Sequence, residues 1–120
     1  MASWFWDGVR CITTTTGVGA VTFGAGVSGY IQETQAGPAG TGVPDQAIIS
    51  YGLIDTVTLN FERGWGVYTL ATRSVTRNPR TSSSAGAAIN LSGSAQIYIT
   101  AGADDLNQLN AVLHSIFGGI

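Results

Sequence analysis

Residues 56–77, TVTLNFERGWGVYTLATRSVTR, decide the fold because apolar and polar side chains alternate at their start. The alternation places three apolar side chains on one face of an extended strand, Val57, Leu59 and Phe61. The polar side chains, Glu62 among them, lie on the opposite face. A period of two predicts a half-buried antiparallel strand.

Turn signals divide the rest of the chain into short strands of the same kind. Segment 36–44, AGPAGTGVP, is dominated by Gly and Pro and predicts an irregular loop. Turn residues recur every eight to twelve residues or so, as they do in sandwiches and small barrels. We therefore predict an all-β domain over residues 7–102, an antiparallel β-sandwich or jelly-roll-like fold. Residues 13–23 are expected to form a strand, a turn at Gly17 and Gly19, and a second strand. The other strands are expected at 47–51, 65–71, 73–77, 88–91 and 96–100.

The period changes in the last segment, residues 103–120. Its apolar residues are spaced three, four and three apart, at Leu106, Leu109, Leu113 and Ile116. Asp104 and Asp105 favour the start of a short C-terminal α-helix, and Gly118 and Gly119 favour its end. Such a helix must bury its stripe, either on the domain's own sheet or against other copies. We predict that the four apolar residues form the interface of a homo-oligomer, a trimer.

Three large aromatic side chains lie close to the N-terminus, Trp4, Phe5 and Trp6. Exposed aromatic patches are typical of surfaces that dock into a partner protein. We therefore predict that residues 1–6 are a docking segment. The alternative is a hydrophobic lid that closes one end of the β domain.

The composition argues against several classes of function. Only 10% of the residues are charged and the net charge is −2, so we expect no nucleic-acid partner, which needs clustered cations. The single Cys11 and the single His114 form no metal-binding motif, and we expect no metal and no cofactor. No long apolar run or signal peptide is visible in the sequence. We therefore expect that the protein is synthesised in the cytoplasm and does not insert into a membrane.

Two motifs that could suggest chemistry have simpler interpretations. The glycines of GAGVSG, residues 24–29, match a dinucleotide-binding pattern, but no helix follows to receive a phosphate, so we predict a turn. The cluster Arg73, Arg77 and Arg80 is interpreted as a solvated turn or a set of interface hydrogen bonds rather than a phosphate site. With Cys11 and His114 far apart in sequence, we predict that the protein is not an enzyme.

Several stretches together resemble a small all-β domain of tailed-phage and prophage structural proteins. They are DGVR at 7–10, TTTTGVG at 13–19, LNFERGWGVYT at 59–69, SVTRNP at 74–79, TSSSAGAAINLSGSAQIYIT at 81–100 and AGADDL at 101–106. The resemblance implies a bacteriophage virion protein: a fibre, spike, adaptor or decorating subunit. It further implies self-association, often as a trimer, and contacts with other virion structural proteins.

A carbohydrate-binding module is the alternative function. Aromatic rings stack on sugars, and Trp65, Tyr68 and Tyr98 are the candidate platforms for host surface glycans.

Overall fold

The computed structural model describes residues 5–103 and 105–107. Within them the chain forms nine strands and two short 3₁₀ helices, Glu33–Gln35 and Pro38–Gly40. Residues 103 and 105–107 are helical, so a short helix begins near the C-terminus, as predicted. The strands are β1 (Arg10–Thr13), β2 (Thr16–Gly17), β3 (Val21–Thr22), β4 (Ile48–Asp55), β5 (Phe61–Thr69), β6 (Ser74–Val75), β7 (Asn78–Ser82), β8 (Leu91–Ser92) and β9 (Ala95–Ile99).

Seven of these strands form one antiparallel sheet, curled like half of a barrel. Its order is β1-β9-β4-β5-β6-β3, with β7 also paired to β5, while β2 and β8 form a small second sheet. The chain after β3 bridges the two edges. The Phe23 N–H donates to Arg73 O beside β6, and the Ile12 N–H of β1 donates to Ala25 O at 2.8 Å. The segment thereby connects β1 and β3, the two ends of the main strand order.

The prediction of a mostly β, antiparallel domain is confirmed. The described strands form one curled sheet and a small second one, where a sandwich would have two facing sheets. Glycines in β5 help to explain the curl, because a Cβ on Gly66 would lie 1.8 Å from Thr76 O. The register of β5 with β7 also shifts between Arg63 and Gly64, and such a bulge bends a strand.

The strand predicted at the start of 56–77 is wrong. Residues 56–60 form the turn between β4 and β5, and β5 begins only at Phe61. The Asp55 carboxylate starts this turn, because its Oδ1 accepts the backbone N–H groups of Val57 and Thr58, both at 2.9 Å. In β5, Phe61 is exposed and Glu62 is buried, which is the reverse of the predicted pattern.

The core lies inside the curl. Its apolar side chains include Cys11, Phe23, Leu53 and Ile97. None of the helical residues that the structure describes belongs to a helix long and apolar enough to cross a membrane.

Candidate functional site

Two buried glutamates lie inside the curled sheet, each held by an arginine and a tyrosine. Glu33, in the first 3₁₀ helix, receives Arg73 through two hydrogen bonds, Nε to Oε2 at 2.9 Å and Nη2 to Oε1 at 2.7 Å. The Tyr68 hydroxyl donates to the same Oε2 at 2.6 Å. Arg73 also donates to Gly24 O, in the segment that bridges the sheet edges. We call this set the Glu33 cluster.

The Glu62 cluster repeats the arrangement. Arg77 donates from Nε and Nη2 to Oε2 and Oε1 of Glu62, at 3.1 and 2.6 Å, and the Tyr51 hydroxyl donates to Oε2 at 2.5 Å. The Ile89 N–H donates to Oε1 at 2.9 Å. Arg77 further donates to three backbone carbonyls, those of Gly17 in β2 and of Gly19 and Ile89 outside the strands.

These contacts fix the protonation of the buried groups. Burial alone would raise the pKa of Glu62, but the hydrogen bonds from Arg77, Tyr51 and Ile89 N–H outweigh it and lower this pKa. The pKa values of Tyr51 and Tyr68 are raised mainly by burial, and further by the glutamates that accept hydrogen bonds from their hydroxyl groups. At neutral pH Glu62 is therefore a carboxylate and the phenols of Tyr51 and Tyr68 are neutral. Both clusters cross-link the fold.

Cys11 lies beside the Glu33 cluster. Its Sγ is 4.0 Å from Glu33 Oε1, and burial raises the pKa of the thiol. A protonated, enclosed thiol is a poor nucleophile. Among the residues that the structure describes, no group of three or more His, Cys, Asp or Glu side chains is placed to hold a metal ion.

The interpretation of the arginine cluster as a solvated turn is wrong for two of its three members. Arg73 and Arg77 are ion-paired with Glu33 and Glu62, respectively. Arg80 lies instead over the Trp65 ring, with its guanidinium carbon 5.8 Å from the ring centroid. The sequence offered one signal, since Glu62 and Arg77 are an acid and a base only 15 residues apart that could form a pair.

The outer face of the sheet carries a second group of arginine and aromatic side chains. The Tyr98 ring crosses β4 at Gly52, where a Cβ would lie 2.3 Å from the ring. The Arg10 guanidinium carbon is 5.1 Å from the Tyr98 centroid and 5.7 Å from that of Tyr30. Arg10 Nε also donates to Gln96 Oε1 at 2.7 Å. We call these side chains the Arg10 cluster.

The three candidate sugar platforms differ in accessibility. Tyr68 is fully buried, so its selection as a platform is wrong. Trp65 and Tyr98 are half-buried on the outer face.

The predicted N-terminal docking residues form the wall of a groove. Phe5 is exposed, whereas Trp6 is half-buried and packs against the core. Trp4 lies outside the described residues. The groove has a volume of about 560 Å³, and we call it the N-terminal groove. Its lining is Phe5, Trp6, Pro44, Gln46, Ala47 and Ile48.

An exposed apolar surface lies at the turn between β4 and β5. Val57 and Leu59 are 68% and 72% exposed, and the Phe61 side chain beside them is 44% exposed. We call residues 56–61 the β4–β5 tip. The sequence pattern had placed these same side chains in the core.

The start of the C-terminal helix is anchored to its own sheet. Asp105 forms an ion pair with Arg63, accepts the Ser50 hydroxyl at 2.7 Å and accepts the Gly102 N–H at 2.9 Å. The last contact is the reach-back bond of a helix cap. Leu106 is 57% exposed, as an interface residue would be in a single copy. The other predicted interface residues lie outside the described residues: Leu109, Leu113 and Ile116.

Comparisons of the chain with protein-family models, curated proteins and solved structures find no match. The resemblance to phage structural domains therefore rests on the quoted stretches of sequence alone.

Proposed function

We propose that this protein is a structural subunit of a bacteriophage virion that self-associates and docks to other virion proteins. The ordered set of motifs from residue 7 to residue 106 supports the virion assignment. On this proposal the chain is made in the host cytoplasm, acts in the particle and catalyses no reaction.

One structural observation supports an assembly role: beside its apolar core the domain buries two ion-paired glutamates, and it leaves several large apolar side chains exposed. Glu33 and Glu62 are buried with arginine partners, whereas the side chains of Val57 and Leu59 are exposed to solvent. Covering apolar surface gains roughly 25 cal/mol per Å². A subunit that meets neighbours at these surfaces recovers that free energy, whereas an isolated domain does not.

The buried polar groups support a scaffold rather than a catalyst. The carboxylates of Glu33 and Glu62 are enclosed and accept hydrogen bonds from side chains of the protein and, at Glu62, also from the Ile89 backbone N–H. Their role in the proposal is to fix the shape of the subunit.

The test is the mass of the purified chain in solution, followed by its position in the particle. Light scattering over a wide concentration range is expected to give an oligomer, in the simplest case a trimer. A density map of the virion that contains the protein should then place copies in contact. A chain that stays monomeric at every concentration and is absent from the particle would refute the proposal.

A carbohydrate-binding module is the second candidate, and the Arg10 cluster is the observation that favours it. Half-exposed tyrosine rings beside an arginine and a glutamine offer both stacking and hydrogen bonds. Binding of the wild type on a glycan array, lost in Tyr98→Ala with an unchanged melting temperature, would favour this candidate. Under the structural proposal the wild type binds no glycan.

A further inference from the structure

The β4–β5 tip and the N-terminal groove lie at opposite ends of one strand. Ile48, the first residue of β4, lines the groove, and Asp55, the last residue, begins the turn of the tip. Eight residues of extended chain span about 26 Å. The tip therefore lies too far from the groove to fill it within one copy.

The two surfaces match in chemistry. None of the described residues that line the groove is charged, and the tip carries no charged residue between Thr56 and Phe61. The nearest carboxylate, Asp55, is buried and bonded to Val57, Thr58 and Ser92. Contact between tip and groove would thus bury no unpaired charge, which would otherwise be costly.

The turn of the tip is closed by its own backbone: Leu59 N–H donates to Asp55 O and Asp55 N–H donates to Asn60 O, both at 2.9 Å. Leu59 has φ +62°, a left-handed conformation that Gly and Asn adopt at much lower cost than leucine. Its side chain is nevertheless apolar and 72% exposed. The turn is also fixed in place, by the Asp55 bonds and by Thr56 N–H to Ser94 O at 2.9 Å.

We propose that the β4–β5 tip of one copy inserts into the N-terminal groove of the next copy. This rests on the proposed self-association and assigns its contact. Each copy has one tip and one groove. In an assembly of identical copies every tip can therefore fill one groove, and no tip or groove is left over. Because the two surfaces differ, the contact is head-to-tail, and copies joined this way form a closed ring or a filament. A three-membered ring would be the predicted trimer.

The first experiment compares the mass of three variants with that of the wild type by light scattering. The tip variant carries Val57→Thr and Leu59→Asn, and asparagine suits the left-handed backbone. The groove variant carries Phe5→Asp and Gln46→Asp, at two exposed positions. Val18→Thr is the control, because Val18 is 60% exposed between β2 and β3 and belongs to neither surface. We expect the tip and groove variants to associate at least tenfold more weakly and the control to behave like the wild type.

The second experiment mixes the two defective variants. The tip variant keeps an intact groove and the groove variant keeps an intact tip, so the mixture can form one contact and no more. We expect a one-to-one heterodimer that does not grow. Unchanged thermal unfolding of each variant shows that the loss is not one of folding.

The outcomes separate this contact from self-association itself. If the wild type assembles and the tip variant keeps its full mass, the tip contact is wrong and self-association stands. If both variants become monomeric but no heterodimer forms, the tip-in-groove pairing is wrong. If the wild type is monomeric throughout, the contact and the proposed self-association fail together.

Discussion

Arg77→Met is expected to destabilise the protein more than Arg73→Met, although each arginine binds a buried glutamate in the same way. Both present Nε and Nη2 to the two carboxylate oxygens of their partner. They differ in burial, because the Arg77 side chain is 2% exposed and that of Arg73 is 33% exposed. Their contacts with the backbone differ as well, with three carbonyl acceptors for Arg77 and one for Arg73.

The magnitudes follow from burial. Removing one partner of a fully buried ion pair costs about 3–5 kcal/mol, because the remaining charge is neither solvated nor paired. Arg77→Met leaves the Glu62 carboxylate in that condition and releases the carbonyls of Gly17, Gly19 and Ile89. Water can reach the space that Arg73 vacates, so we expect its loss to cost about 1–3 kcal/mol. Small domains are stable by about 5–15 kcal/mol, so both variants should still fold.

Urea unfolding of both variants and the wild type measures the difference in the free energy of unfolding. Tyr51→Phe is a useful third variant, since it removes one hydrogen bond to Glu62 and keeps the ion pair. We expect a loss of about 1–2 kcal/mol for it. The reasoning from burial is refuted if Arg73→Met costs as much as Arg77→Met, or if Tyr51→Phe costs as much as either.

Three further predictions concern pH, the glycines and the helix. The lowered pKa of Glu62 contributes stability that is present above the unfolded value of about 4.3 and is lost as the pH falls. The raised pKa values of Tyr51 and Tyr68 contribute stability that is lost as the pH rises above about 10, so urea midpoints should be flat between these limits. Gly66→Ala should cost about 1–3 kcal/mol because its Cβ would strike Thr76 O, whereas Gly19→Ala, with open space around it, should be nearly neutral in thermal unfolding. Leu109→Asp with Leu113→Asp should lower the mass in light scattering if the C-terminal helix joins copies, and an unchanged mass would contradict that interface.

The sequence predicted what depends on local pattern. Alternation and frequent turns indicated antiparallel strands, and the change of period near residue 103 indicated the short helix. Closure of the sheet could not be predicted in this way. It depends on contacts far apart in sequence, such as β1 with β9 and Phe23 N–H with Arg73 O.

The same limit explains the error around Phe61. A strand's faces exchange when its register moves by one residue, so the strand assignment alone does not say which face is buried. In β5 the hydrogen-bond partners of Glu62 determine which face of the strand is buried. Arg77 and the Ile89 N–H come from later segments, and together they make the buried position favourable for a carboxylate. The apolar residues of the tip are displaced outward because Asp55 ends β4 with a turn.

Buried ion pairs of this kind are weak evidence for stability, since well-packed apolar side chains often serve as well. The directional geometry of their hydrogen bonds is a better explanation for the two buried ion pairs of this protein. Arg77 and Arg73 each join segments that apolar packing would leave free to slide, and Arg73 reaches Gly24 O in the strand-like segment that bridges the sheet edges. A subunit that must present the tip and the groove at fixed positions benefits from such a closure. Because a ring closes only when every copy repeats the same angle, small errors in shape would accumulate from copy to copy.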